Sequence, residues 1–144
     1  MNNNDHRLAE AIISDIDQSE DLIAERSFSS VYFGGGTPSL SSVESIKKIL
    51  DVVKNRLEGE ETEITFEMNP NDVSRKKIDG LLTAGVNRIS LGVQSYHDQE
   101  LKALGRSHDS GSILEAKKIL KDANTTIDLM YALRIKLQNL LLQT

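Results

Sequence analysis

Three polar side chains near the ends of β-type runs are the candidates for chemistry: Glu67 in "EITFEM", Gln94 in "RISLGVQ" and Asp128 in "TIDLM". Successive side chains of a strand point to opposite faces. Ile64, Phe66 and Met68 therefore share one face while Thr65 and Glu67 share the other. Ile89, Leu91 and Val93 likewise oppose Ser90, Gly92 and Gln94, and Ile127 and Leu129 oppose Asp128. Ligands of parallel α/β folds bind at the C-terminal ends of the strands. Where the strands curve as in a barrel, the three side chains point into one mouth. Beside it, "SVYFGGGTPSL", residues 30 to 40, ends a short β-type run in three consecutive glycines. One or two glycines give a strand-to-helix turn the backbone freedom it needs; three favour close approach of a ligand to the backbone. A solvated or helix-capping role is the competing reading for either acid alone, and the matched polar parity on three strands is the argument against it.

Other chemistries are poorly served. The G-x-G-x-x-G spacing of dinucleotide sites and the lysine of the P-loop are both missing around the glycine run. His6, His97 and His108 share no metal-ligand spacing and read as surface histidines. No Ser/His/Asp arrangement emerges from the order of residues, and Tyr32, Tyr96 and Tyr131 are too scattered for a base-stacking platform. No catalytic or metal-ligating residue is assigned. The net charge is −5 with basic residues dispersed, which argues against a nucleic-acid partner. No apolar run approaches the roughly 20 residues of a membrane span, and the N-terminus lacks the regions of a signal peptide, so a cytoplasmic location is the expectation.

The elements that must position these residues follow from hydrophobic period. Leu8, Ile12, Ile16 and Ile23 predict one amphipathic helix over residues 8 to 24. A strand at "SSVYFGG" follows. Ser41 and Glu44 form a capping-box pattern ahead of a helix through Val43, Ile46, Leu50, Val53 and Leu57 that stops at Gly59. "ETEITFEMNP" reads as a strand and "NDVSRKKIDGLLTAG" as a helix capped by Gly85, with Gly80 an oddity inside it. "VNRISLGVQS" is a strand, two short helices run around Leu101 and Leu104 and through Ile113 to Leu120, and "TTIDLMYA" closes the series as a strand. Helix, then strand and helix in alternation, predicts an α/β fold with about four parallel strands and flanking helices. The 144 residues suit one domain. Its core is expected over 1–133, with a divergent, Leu-rich tail over 134–144 whose Leu137, Leu140 and Leu141, with Leu133, lie near helical spacing.

Taken together, "FGGGTPSL", "EMNP", "RISLGVQSYHDQELKALGRSH" and "IDLMYAL" resemble, in order and spacing, the radical S-adenosylmethionine family of oxygen-independent coproporphyrinogen III oxidase and the haem chaperone HemW. The likeness runs from about Leu8 to Leu133, and "GVQS" followed by "LKALGRSH" is closer to the HemW-like branch. The resemblance implies a partial (β/α)6, TIM-like barrel and a [4Fe–4S] cluster on a CxxxCxxC loop that cleaves S-adenosylmethionine. It implies that Gly35, Gly36 and Thr37 meet the methionine end of the cofactor. Glu67, Gln94, Arg106 and Asp128 would contact its amino-acid and ribose groups. Arg106 enters by resemblance alone.

Departures from the family pattern carry expectations of their own. There is no cysteine in the sequence, so the cluster's thiolates are not supplied by this chain. The resemblance places the first strand and its cysteine loop before residue 1. After "DLMYAL", Ala132 and Arg134 stand where the family continues with a Gly-Leu-Pro turn, a sixth strand and a C-terminal domain. A truncated HemW-like protein without the cluster is therefore expected. Its alternatives are a non-catalytic module that binds S-adenosylmethionine or haem, and one half of a split protein completed by a cysteine-bearing partner. Open sheet edges would favour such a partner chain or self-association.

Overall fold

Alternating strand and helix periods build a parallel sheet with helices packed on one face. The structure, a computed structural model, describes residues 3–59 and 61–133. Helix α1 (Asn3–Gln18) and the short α2 (Glu20–Ile23) precede strand β1 (Ser30–Phe33), and α3 (Val43–Val53) leads to β2 (Glu63–Met68). Helix α4 (Arg75–Ala84) leads to β3 (Arg88–Gln94), and α5 (Asp98–Ala103) and α6 (Ser110–Ile119) lead to β4 (Thr125–Leu129). The strands lie in the order β1-β2-β3-β4 and every neighbouring pair is parallel. Parallel pairing follows from the helix in each connection, which returns the chain to the end where the previous strand began. The α/β class and the four parallel strands are as the sequence predicts. The tail from residue 134 onward, with Leu137, Leu140 and Leu141, lies outside the described residues.

The aliphatic parity of β2 and β3 makes the core, whereas Ile127 and Leu129 of β4 stay exposed. Phe66 of β2 and Ile89, Leu91 and Val93 of β3 are fully buried, under Ile46 and Leu50 of α3, Ile78 and Leu81 of α4 and Ile113 of α6. Each such side chain contributes about 1.5–3 kcal/mol when removed from water. Phe33 of β1 extends the layer, its ring centroid 5.8 Å from that of Phe66. Because the helices cover this face, the polar residues of the same strands are left facing the other way.

Several local expectations change. The predicted single helix over 8 to 24 is two, because the Ser19 amide is shared between the carbonyls of Asp15 and Ile16, both at 3.1 Å, which closes the first helix before Glu20 begins the next. Its apolar stripe is also less buried than expected: Ala9 is the buried contact and Ile16 packs on the core, while Leu8 and Ile12 stay largely exposed. Helix α3 is capped not by Ser41 but by Ser42, whose Oγ accepts the Ser45 amide at 3.2 Å. It ends at Val53 and tightens into a 3-10 turn at Lys54–Arg56, short of Gly59. Gly85 caps α4 as predicted, at φ +112°. Gly80 has a packing reason, since a Cβ there would lie 3.1 Å from both methyls of Val43 on α3. Gly80→Ala is therefore expected to forfeit the gain of about 1 kcal/mol that alanine usually brings to a helix, measured as an unchanged or lowered urea midpoint.

Asp5 ties α1 to the start of α3. Its Oδ2 accepts the Ser42 amide at 3.0 Å and the Ser45 hydroxyl at 2.9 Å. Burial pushes this carboxyl up, but hydrogen bonds from the side chain and backbone of Ser42, with Ser45 and Ser41, outweigh it and hold the group below the usual carboxylate range. A carboxyl whose folded pKa is depressed stabilises fully at neutral pH, and that contribution is lost as pH falls through about 4 and below. Asp5→Asn is expected to cost about 1 kcal/mol at pH 7 and to flatten the acid limb of stability against pH, read from urea unfolding across pH 3–7.

Candidate functional site

The polar parity of β2, β3 and β4 opens onto a cleft of about 190 Å³ at the C-terminal ends of the strands. Six of the seven residues anticipated from the sequence line it together: Gly36, Thr37, Glu67, Gln94, Arg106 and Asp128. The seventh, Gly35, lines a neighbouring apolar groove between α1, the end of β1 and α3. Ser90 and Asn69 also line the cleft and were not singled out. Their signals were present, Ser90 in the same parity as Gln94 and Asn69 in "EMNP".

Each position has a local cause. Asp128 is on β4, and Ser90 of the adjacent β3 donates from Oγ to its Oδ2 at 2.8 Å. Glu67, half-buried on β2, accepts from the Tyr32 hydroxyl at 2.8 Å. Gln94 ends β3 with φ +66°, where the register to β4 shifts between Leu91 and Gln94. A left-handed backbone costs a non-glycine residue about 1–3 kcal/mol, and such outliers cluster at functional sites. Gly92 makes room beside it, since a Cβ there would lie 3.2 Å from Gln94 Nε2 and 3.4 Å from Arg106 Nη2. Deeper on the same face, Arg88 pairs with Glu63 at 2.9 Å and donates to Thr126 at 3.2 Å. That network satisfies the N-terminal end of the polar face and leaves the cleft at the other.

Arg106 arrives from the turn after α5, where Gly105 takes φ +66°. Its Nε is buried without a hydrogen-bond partner among the described residues. A buried donor left unpaired costs about 1–3 kcal/mol, more when charged, and the residue that carries it lines the cleft. The cleft therefore sets one guanidinium against the carboxylates of Glu67 and Asp128, a pattern complementary to a ligand bearing both an anionic group and a cation or hydroxyls.

The glycine run serves two ends. A Cβ on Gly34 would lie 2.6 Å from the Tyr32 ring, so that glycine makes room for the tyrosine. Gly35 and Gly36 take φ +78° and +59° with open space where a Cβ would be. The loop is then fastened from behind. Lys77 Nζ donates to the carbonyls of Ser39 and, at 3.0 Å, Ser41, and the Ser39 hydroxyl donates to Asp72. Burial lowers the Lys77 pKa against the opposing pull of Asp72 and Asp5. Lys77→Met is expected to free the loop, seen as faster amide exchange at residues 34–41 with little change in the sheet.

One of the three histidines departs from its reading as a surface group. His108 is buried rather than on the surface, its Nε2 3.0 Å from the Val93 carbonyl, because the segment after Arg106 folds under the end of β3. His6 lies between Glu10 and Lys48, each at 3.0 Å, and His97 is exposed. Among the described residues no three His, Cys, Asp or Glu side chains are grouped to hold a metal ion, and no helix is long and apolar enough to cross a membrane.

The sequence that builds this sheet and its glycine-flanked mouth matches a family model described as the radical SAM superfamily over residues 6–136, and the chain belongs to that superfamily. Within it, the chain is a HemW- and coproporphyrinogen-oxidase-like member. It is 36% identical over 132 residues to the heme chaperone HemW of Haemophilus influenzae, covering 89% of this chain and 34% of that protein. It is 42% identical over 107 residues to HemW of Lactococcus lactis, covering 72% and 28%. Over 119 residues it is 40% identical to a mitochondrial radical S-adenosyl methionine domain-containing protein of Dictyostelium discoideum, covering 77% and 27%. Among solved structures, coproporphyrinogen III oxidase from Escherichia coli, a radical SAM enzyme, superposes with a TM-score of 0.76 at 25% identity, covering 89% of this chain and 30% of that one. The chain thus spans about a quarter to a third of the length of the curated relatives it matches.

Proposed function

We propose that the mouth formed by Gly36, Thr37, Glu67, Gln94, Arg106 and Asp128, with Gly35 beside it, binds S-adenosylmethionine, and that this chain by itself holds no [4Fe–4S] cluster. The observation that carries the first half is that Arg106, whose buried Nε has no hydrogen-bond partner among the described residues, lines one cleft with the carboxylate residues Glu67 and Asp128. S-adenosylmethionine carries the complementary groups: a carboxylate for the guanidinium, and an ammonium and ribose hydroxyls for the acids and the amide. The left-handed Gly35 and Gly36 leave the backbone of the loop open to the methionine end. Reductive cleavage of the cofactor would need an electron from an iron–sulfur cluster; the residues here would only bind and orient S-adenosylmethionine.

The cluster does not fit the residues present, because the sequence has no thiolate to offer. Anaerobic reconstitution with iron and sulfide is expected to give neither cluster absorbance nor 5′-deoxyadenosine, and the appearance of both would overturn this part. For the binding site, amide exchange with and without S-adenosylmethionine is the test. Protection at 34–38 and around Gln94 is expected, and protection confined elsewhere would refute the placement.

A second reading, completion by a separate cysteine-bearing chain, is favoured by the edge of β1. Among the described residues that strand has one sheet neighbour, and it borders a groove of about 240 Å³ walled by Leu8, Ile12, Phe33, Ile46 and Ile49. The neighbouring DNA decides it, since a CxxxCxxC segment in or out of frame supports this reading and none removes it. Haem comes from the name of the relatives, and a haem titration followed at the Soret band tests it as the alternative ligand.

A further inference from the structure

We propose that Tyr32 is a positioning residue of this mouth, fixing the carboxylate of Glu67 so that its remaining oxygen faces the ligand. This rests on the reading of the cleft as an S-adenosylmethionine site. Tyr32 shares with Thr65, its register partner on β2, the polar parity of the sheet, and its hydroxyl donates to Glu67 Oε1 at 2.8 Å. Among the described residues no other side chain bonds that carboxylate, so the second oxygen keeps its full accepting capacity. The ring is held in turn. It lies over Gly34, where a Cβ would sit 2.6 Å from Cε1 and 3.1 Å from Glu67 Oε1, so any other residue at 34 would push ring and carboxylate apart.

The first glycine of the run therefore serves the tyrosine, and the tyrosine serves the acid. Without the phenol, Glu67 would rotate freely about its side-chain bonds and lose that entropy only on binding. Donation to Glu67, with desolvation and the nearby charges of Glu67 and Asp128, raises the Tyr32 pKa above the usual tyrosine range, against a smaller opposing hydrogen bond with Ser90.

The test uses Tyr32→Phe, Glu67→Gln and the double variant of the full chain. Tyr32→Phe is expected to weaken S-adenosylmethionine binding by about three- to tenfold, and to have no further effect in the Glu67→Gln background. Tyrosinate absorbance against pH supplies a readout that needs no ligand. One of the three tyrosines should titrate late, vanish from the curve in Tyr32→Phe and titrate earlier in Glu67→Gln. A tyrosine curve unmoved by Glu67→Gln, or additive losses of affinity in the double variant, would overturn the proposal. If the unaltered chain does not bind S-adenosylmethionine, the ligand reading fails by itself, and the titration still decides whether Tyr32 holds Glu67.

Discussion

Arg106→Ala is expected to weaken S-adenosylmethionine binding by about a hundredfold while leaving the fold as stable as before or slightly more so. The two effects part because of one atom. The Arg106 Nε is buried with no partner among the described residues, so its removal relieves an unmet donor. In the complex the guanidinium would make two charge-assisted hydrogen bonds, each contributing about 1.5–3 kcal/mol, and a loss of about 3 kcal/mol is about a hundredfold in affinity. A residue that merely stabilised the turn after α5 would behave in the opposite way, costing stability and sparing affinity. Urea unfolding and ligand titration on the same preparation separate the two. Lysine at 106 is expected to restore only part of the binding, since an ammonium lacks the planar fork of donors.

Phe66→Ala is expected to destabilise the chain by about 3–5 kcal/mol, a large share of the roughly 5–15 kcal/mol typical of a domain. Phe66 is fully buried at the centre of the sheet, against the ring of Phe33 on β1 and beneath the helices. Its neighbour Glu67 points to the opposite face, so the cavity would lie directly behind the mouth. The unfolding midpoint in urea should fall steeply, and Phe66→Leu, which keeps most of the volume, should cost about 1–1.5 kcal/mol. A fall of less than about 1 kcal/mol in Phe66→Ala would mean that the sheet does not carry its core here.

The polar mouth was legible because strand parity is a short-range property. Glu67, Gln94 and Asp128 could be assigned one face from two neighbours each, and the cleft brings all three together. Arg106 could not be reached in that way. It follows a glycine turn at the end of α5, and its approach to Gly92 depends on how that turn packs against β3. Tyr32 had the right parity, yet its role needs a contact across 35 residues, to Glu67. His108 was misread for a related reason: a lone histidine looks like surface until the carbonyl of Val93 above it is known. The break of the first helix at Ser19 turns on one shared amide, a detail without a compositional mark. Gly80 was an unexplained cost in a helix and becomes the point where α3 and α4 approach through Val43.

Whether these side chains form one ligand site is tested most directly by calorimetric titration of S-adenosylmethionine into the unaltered chain, with Arg106→Ala and Asp128→Ala alongside. A single saturable site with one ligand per chain, half-filled below about 1 mM, and lost or shifted beyond that range in both variants, is the expected result. Absence of binding by the unaltered chain at millimolar ligand, or binding that neither substitution weakens, would contradict it.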